Sequence, residues 1–173
     1  MSDGEPASWV ARYAQAGLNV IDWIVGVLVI LAMAAMTLTV AVQVGLRYGL
    51  NESIDWADEV SRLSFVWAVF LAIPLGIKRG AHVSVELLTG QLPTGTRRGL
   101  FRLVSLLAMM LMVLVTWQAA ILARNQWDEP MSTLEVSVGV FMLPLVIGAA
   151  HSVLHLLVGV IDGRPGKALS AAE

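Results

Sequence analysis

Residues 47–82 read RYGLNESIDWADEVSRLSFVWAVFLAIPLGIKRGAH, and this stretch decides how the rest of the chain is interpreted. Its uncharged part, residues 63–77, would form a helix of about 22 Å, which is shorter than a hydrocarbon core of roughly 30 Å. A membrane span in this stretch must therefore begin near Trp56 and include the charged residues that precede Leu63. Charged side chains at such a boundary need ionic partners or a route to the lipid headgroups.

On a helix that begins near Trp56, Asp58 and Glu59 lie four and three residues before Arg62, so both acids are predicted to face the arginine. Two interpretations of this cluster stay open. Acids in a first turn complement the helix dipole, so the cluster is a self-contained cap. Alternatively, part of it docks on a partner subunit, and Trp56 and Trp67 would share one helix face suited to a packed interface.

The rest of the chain consists mainly of apolar blocks. Of the 173 residues, 57% are hydrophobic and only 14% are charged, too few charges for the surface of a soluble domain. The predicted fold class is an all-α membrane protein with four transmembrane helices, at about 20–46, 56–77, 100–123 and 136–161. We expect one membrane domain over residues 1–173, packed as a compact bundle. The 78–99 loop is either a surface loop or carries a short in-plane helix.

The distribution of basic residues predicts the orientation of the four spans. Both termini and the loop between the second and third spans share one side. Eight basic residues lie on that side: Arg12, Lys78, Arg79, Arg97, Arg98, Arg102, Arg164 and Lys167. Only Arg47, Arg62 and Arg124 lie on the other side. Because basic loops remain in the cytoplasm, both termini are predicted to be cytoplasmic.

The sequence predicts no catalytic residue, no cofactor and no metal site. It lacks the serine-hydrolase, zinc-protease and P-loop motifs, and it has no cysteine. A net charge of −2 argues against nucleic acid as a partner. His151 and His155 have a spacing that can hold a metal from one helix face, but the fourth apolar run contains no carboxylate. A small four-helix redox or metal protein is kept as an alternative, as is a membrane protein unrelated to transport.

A transporter that acts alone is not predicted. The interiors of the first, third and fourth spans contain Leu, Val, Ala and Met, and no buried acid is expected there to relay protons or coordinate sodium. An accessory or scaffold subunit fits this pattern better.

An ordered series of short motifs resembles one known family. The series comprises Gln43, Arg47-Tyr48, Trp56-Ala57-Asp58-Glu59-Val60-Ser61-Arg62, Phe65-Val66-Trp67, Lys78-Arg79-Gly80-Ala81-His82-Val83-Ser84-Val85-Glu86, Leu92-Pro93 and Arg97-Arg98. It is similar to the small membrane subunit, DctQ-like, of TRAP (tripartite ATP-independent periplasmic) transporters. The resemblance runs from about residue 20 to residue 157. Asp58 stands where glutamate is common, and His151 and His155 match no motif of the family.

The resemblance implies a supporting role in sodium-coupled symport of a small organic solute, often an acid. The implied partners are a large membrane (permease) subunit, a periplasmic solute-binding protein and the lipid bilayer. The implied location is the cytoplasmic (inner) membrane of a bacterium or archaeon. The residues expected at an interface or boundary network are Arg47, Tyr48, Trp56, Asp58, Glu59, Arg62 and Trp67. Those expected in a cytoplasmic loop or arm are Lys78, Arg79, His82, Glu86, Arg97 and Arg98.

Overall fold

The structure is a computed structural model that describes residues 9–78 and 94–162. Its four α-helices are α1 (Trp9–Gly49), α2 (Ala57–Lys78), α3 (Thr94–Asn125) and α4 (Leu143–Asp162), and a 3₁₀ turn (Val138–Phe141) precedes α4. Each helix, the last one together with the 3₁₀ turn, is long and apolar enough to cross a membrane. The predicted fold class, an all-α membrane protein with four spanning helices, is confirmed.

The helix boundaries place the charged residues as the length argument required. α2 begins at Ala57 and therefore contains Asp58, Glu59 and Arg62 in its first two turns. Pro74 lies inside α2, which nevertheless continues to Lys78. α1 begins well before the predicted span of 20–46, so Asp22 lies within a continuous helix.

Part of the predicted loop or arm lies outside the described residues. This applies to Arg79, His82 and Glu86, and so to most of the expected in-plane helix. Arg97 and Arg98 lie in α3, which begins at Thr94, so their predicted place in the 78–99 loop is wrong: the helix begins ahead of the apolar run.

The helices lie in a row in the order α1, α2, α4, α3. α1 packs on α2, α2 on α4 and α4 on α3. In the described part of the chain α1 makes few contacts with α4, and α1 and α3 do not pack together. The expectation of a compact bundle is therefore wrong. Inside a bilayer, apolar side chains gain little by leaving lipid for protein, so helices need not close around a shared core.

Small residues set the close approach of the two central helices. A Cβ atom added at Gly148 of α4 would lie 2.2 Å from the carbonyl oxygen of Phe70 in α2. Buried small residues also line α3 and α4, namely Ser105, Ala119, Ala123, Ala149 and Ser152. Packing through glycine, alanine and serine is typical of helix pairs in membranes, because it brings the backbones within van der Waals contact.

The connection between α3 and the 3₁₀ turn folds back on itself. The backbone N–H of Met131 donates to the carbonyl of Val136 at 2.9 Å, and that of Val138 donates to Glu129 at 2.8 Å. Ser137 caps the 3₁₀ turn by accepting a hydrogen bond from the N–H of Gly139. This turn holds residues 132–134 beside the start of α2.

Candidate functional site

One polar network joins the start of α2 to the connection that follows α3. Oε1 of Glu59 accepts a hydrogen bond from the backbone N–H of Ser132 at 2.9 Å. Oε2 accepts from the N–H of Thr133 at 3.1 Å, the hydroxyl of Thr133 at 2.6 Å and the N–H of Leu134 at 3.0 Å. Three successive backbone N–H groups thus converge on one carboxylate, an arrangement that binds anions well. We call Glu59 with residues 132–134 the Glu59 network.

The predicted pairing of Asp58 and Glu59 with Arg62 is wrong. Arg62 is exposed and makes no ion pair among the described residues. Asp58 instead accepts a hydrogen bond from the side-chain amide of Gln43 at 3.2 Å, which links α2 to α1. An exposed pair within one helix contributes only a few tenths of a kcal/mol. The four donors around Glu59 therefore outcompete the arginine.

Two of the other residues expected at an interface line an open cleft of about 570 Å³ at the same end of the molecule. Arg47 and Asp58 line this cleft together with Gln43, Glu52 and Asp55. Tyr48 and Trp56 are exposed nearby, and Trp67 is half-buried along α2. Because α2 begins after Trp56, the two tryptophans are not on one continuous helix. That these residues contact a partner stays a prediction.

We expect Glu59→Ala to loosen the connection around residues 132–134, because three backbone N–H groups lose their acceptor. Hydrogen–deuterium exchange of these amides should rise by roughly tenfold or more, since their protection depends on a bonded closed state. Asp58→Ala is the matched control, because among the described residues Asp58 accepts a hydrogen bond only from Gln43. Equal exchange in the two variants would contradict the role assigned to Glu59.

A second polar network joins three helices and centres on Asp22, whose side chain is only 7% exposed. Its Oδ2 lies 2.6 Å from the Nζ of Lys78, the last residue of α2. Its Oδ1 lies 2.8 Å from Nε2 of His155 and 2.9 Å from Nε2 of His151, both on α4. Lys78 also donates to the side-chain oxygen of Asn19 at 2.7 Å. We call Asp22, Lys78, His151 and His155 the Asp22 network.

His151 has an unusual position in this network. Its side chain is 5% exposed, and neither ring nitrogen forms a hydrogen bond of acceptable geometry with any described residue. The 2.9 Å separation of Nε2 from Asp22 is short, yet the angles are not those of a hydrogen bond. By contrast, His155 does make a hydrogen bond to Asp22. A buried polar group without a partner costs free energy, so the orientation of His151 needs an explanation.

Sequence reasoning placed Lys78 in the loop or arm, assigned no site to the two histidines and missed Asp22. Lys78 is instead the last residue of α2 and is paired with Asp22. Asp22 falls inside the predicted first span of 20–46 but close to its beginning, and the search for polar groups considered only the uncharged interiors of the spans. The signal that could have found it is helical spacing: Leu18, Asp22 and Val25 are the buried positions of that segment and share one face of α1. An acid on a buried stripe calls for a partner on a neighbouring helix. The expectation that no buried acid lies in the first span is therefore wrong.

A family model described as "Tripartite ATP-independent periplasmic transporters, DctQ component" matches residues 36–165 of the 173. The chain belongs to this family. Membership confirms the resemblance drawn from the motif series and rules out a membrane protein unrelated to transport.

Individual relatives agree with the family assignment. The sialic acid TRAP transporter small permease protein SiaQ of Vibrio cholerae is 28% identical over 158 residues, covering 82% of this chain and 88% of the relative. The C4-dicarboxylate TRAP transporter small permease protein DctQ of the same organism is 33% identical over 91 residues, covering 53% of this chain and 38% of the relative. The isethionate TRAP transporter permease protein DctMQ of Oleidesulfovibrio alaskensis is 24% identical over 132 residues, covering 64% of this chain but only 21% of the relative.

Two consequences follow for this DctQ-family chain. It is a multi-pass membrane protein of the small permease type, and small subunits of this kind act with a large permease subunit. In the DctMQ relative, the matching segment is part of a much longer permease chain. The solutes in the relatives' names differ from one another, so the family alone does not assign a solute to this chain.

Proposed function

We propose that this chain is the membrane scaffold subunit of a TRAP-type secondary transporter. In this role it supports the large membrane subunit during sodium-coupled, binding-protein-dependent uptake of a small organic solute, expected to be an organic acid. A periplasmic solute-binding protein is the third component, and the complex lies in the cytoplasmic membrane. The observation that carries the proposal is the family match over residues 36–165.

The row of helices supports a scaffold role. Apolar side chains along both outer helices are left uncovered by the rest of the chain. On α1 they include Val20, Ile24, Leu31 and Leu38, and on α3 they include Leu107, Met110, Leu114 and Trp117. A row four helices long offers a broad apolar face that lipid and a large membrane subunit can share.

The buried charges support the same role. Asp22 and Lys78 neutralise each other across α1 and α2 at 2.6 Å. A carrier that moves an ion needs polar groups that exchange partners, whereas these groups tie neighbouring helices together. Solute and sodium would therefore pass through the large subunit, and this chain would catalyse no reaction.

The proposed orientation places both termini in the cytoplasm. Trp56 and Trp127 are about half exposed at the end of the molecule that carries the Glu59 network, which fits an aromatic belt at the outer interface. The basic 78–102 segment then lies on the inner side, as the positive-inside rule requires.

The proposal is tested by expressing this chain with the large permease encoded beside it. We expect the two chains to purify together, and uptake driven by a sodium gradient in proteoliposomes to require both chains and the binding protein. Independent purification, together with full uptake in the absence of this chain, would overturn the proposal.

Arg62→Ala should weaken assembly with the large subunit more than Arg124→Ala does. Both arginines are exposed, but Arg62 lies in the second turn of α2, whereas Arg124 lies at the end of α3 and can reach water. Because Arg62 has no ionic partner within the described chain, its loss should leave the melting temperature of the isolated subunit unchanged. We expect a detergent pull-down to recover severalfold less large subunit with Arg62→Ala, since removing a charge at an interface leaves the partner's group unpaired. Equal recovery with the two variants would refute this prediction.

A further inference from the structure

We propose that Asp22, His151 and His155 form a binding site for a transition-metal ion of the zinc class. The site lies between α1 and α4. It is independent of the transport role, because it rests on the geometry of the Asp22 network alone.

The ligand atoms already converge. Oδ1 of Asp22 and one nitrogen of each histidine all lie within 4.8 Å of one another. The two imidazole rings have centroids 4.8 Å apart and are tilted by 42°, and both Nε2 atoms approach the same carboxylate oxygen. The spacing of the histidines along α4 brings both rings to one helix face.

His151 supplies an independent reason to place a ligand here. Its side chain is 95% buried, since only 5% is exposed, and its two ring nitrogens lack hydrogen-bond partners among the described residues. Nε2 nevertheless lies only 2.9 Å from Oδ1 of Asp22. A bound cation would use the lone pair of this nitrogen and remove the cost of leaving it unsatisfied.

The chemistry of the three ligands selects the class of metal. Two imidazoles and one carboxylate suit Zn²⁺, Co²⁺ or Ni²⁺, whereas Ca²⁺ and Mg²⁺ prefer oxygen ligands only. At zinc–ligand distances of about 2.0–2.1 Å, tetrahedral ligand atoms lie roughly 3.3 Å apart. The contacts of 2.8 and 2.9 Å would therefore need to open by roughly half an ångström, a small side-chain adjustment. A water molecule would complete the coordination.

Lys78 is the positive charge that must adjust when a metal ion binds to Asp22. It holds Oδ2 of Asp22, as hydrogen-bond donors commonly hold metal-binding carboxylates. Its side chain is 42% exposed, so the ammonium can move towards water when a divalent ion neutralises Asp22. A bound ion would link α1 to α4, two helices that otherwise make few contacts.

The test uses the full chain purified in lipid nanodiscs with an affinity tag free of histidine. Co²⁺ is titrated as the probe, because a tetrahedral site gives it intense visible absorption, and Zn²⁺ is then added as competitor. We expect one Co²⁺ per chain, displaced by Zn²⁺, and a melting temperature that rises with Zn²⁺ concentration.

Variants identify the ligands. His151→Leu and His155→Gln should each weaken Co²⁺ binding by roughly 100-fold and abolish the Zn²⁺-dependent rise in melting temperature. His151→Leu removes no hydrogen bond to any described residue, so this variant should fold. His82→Ala is the control and should bind Co²⁺ as the unaltered chain does. The proposal is overturned if the unaltered chain binds no Co²⁺ or Zn²⁺ at about 100 μM, an affinity expected of even a weak site. It is equally overturned if His151→Leu binds normally, or if binding depends on His82.

Discussion

Gly148→Ala is expected to lower the melting temperature of the purified subunit by roughly 5–10 °C, the response to a loss of about 2–3 kcal/mol. The added methyl group would lie 2.2 Å from the carbonyl oxygen of Phe70, a distance that real Cβ atoms do not adopt. The obstacle is backbone rather than a flexible side chain, so α2 and α4 must separate. Since these helices form the centre of the row, their contacts on both sides would be disturbed.

Gly45→Ala is the matched control for this substitution. Gly45 also lies within a long helix, but nothing lies within 4 Å of a Cβ built there. Alanine favours helix over glycine by up to about 1 kcal/mol, so this variant should be as stable as the original chain or slightly more so. If both variants melted at the same temperature, the close approach of α2 and α4 would not determine stability.

Asp22→Ala is expected to destabilise the subunit by about 3 kcal/mol, the lower end of the range for breaking a buried ion pair. The substitution removes the carboxylate that accepts from His155 and pairs with Lys78, and it leaves Lys78 with its hydrogen bond to Asn19 but without a charged partner among the described residues. The lower end applies because Lys78 is 42% exposed and can partly recover its hydration. Thermal or denaturant unfolding in detergent, with metal chelated, measures this loss.

A double-mutant cycle separates the ion pair from the rest of the network. Lys78→Ala should cost less than Asp22→Ala, because the lysine is half exposed and Asp22 keeps His155 as a partner. The double variant should be more stable than the two separate losses predict, since it leaves no unpaired charge between the two positions. Asp55→Ala, at an exposed loop position, should have little effect. Strict additivity in the cycle would show that Asp22 and Lys78 are not coupled.

The motif series of residues 43–98 and the lengths of the apolar runs were sufficient for the family and the four spans. These features are local: a span needs only enough consecutive apolar residues, and the charges before Leu63 had to enter α2 because the apolar run is short. Contacts between distant segments were predicted less well. The pairing of Glu59 with Arg62 was the best choice within one helix, but Glu59 binds residues 132–134, more than 70 positions away.

Residues 47–82, the stretch at the membrane boundary, show the same difference between local features and long-range contacts. Its composition by itself determined that α2 crosses the membrane with acids at one end and Lys78 at the other. Only the tertiary structure decided which partners those charges have. Helix packing brings Asp22 of α1 to Lys78 and to both histidines of α4, and the fold of residues 126–137 brings three backbone N–H groups to Glu59. The physical reason is that hydrophobicity acts residue by residue along the chain, whereas a buried charge is satisfied by whichever group the packed helices place within 3 Å.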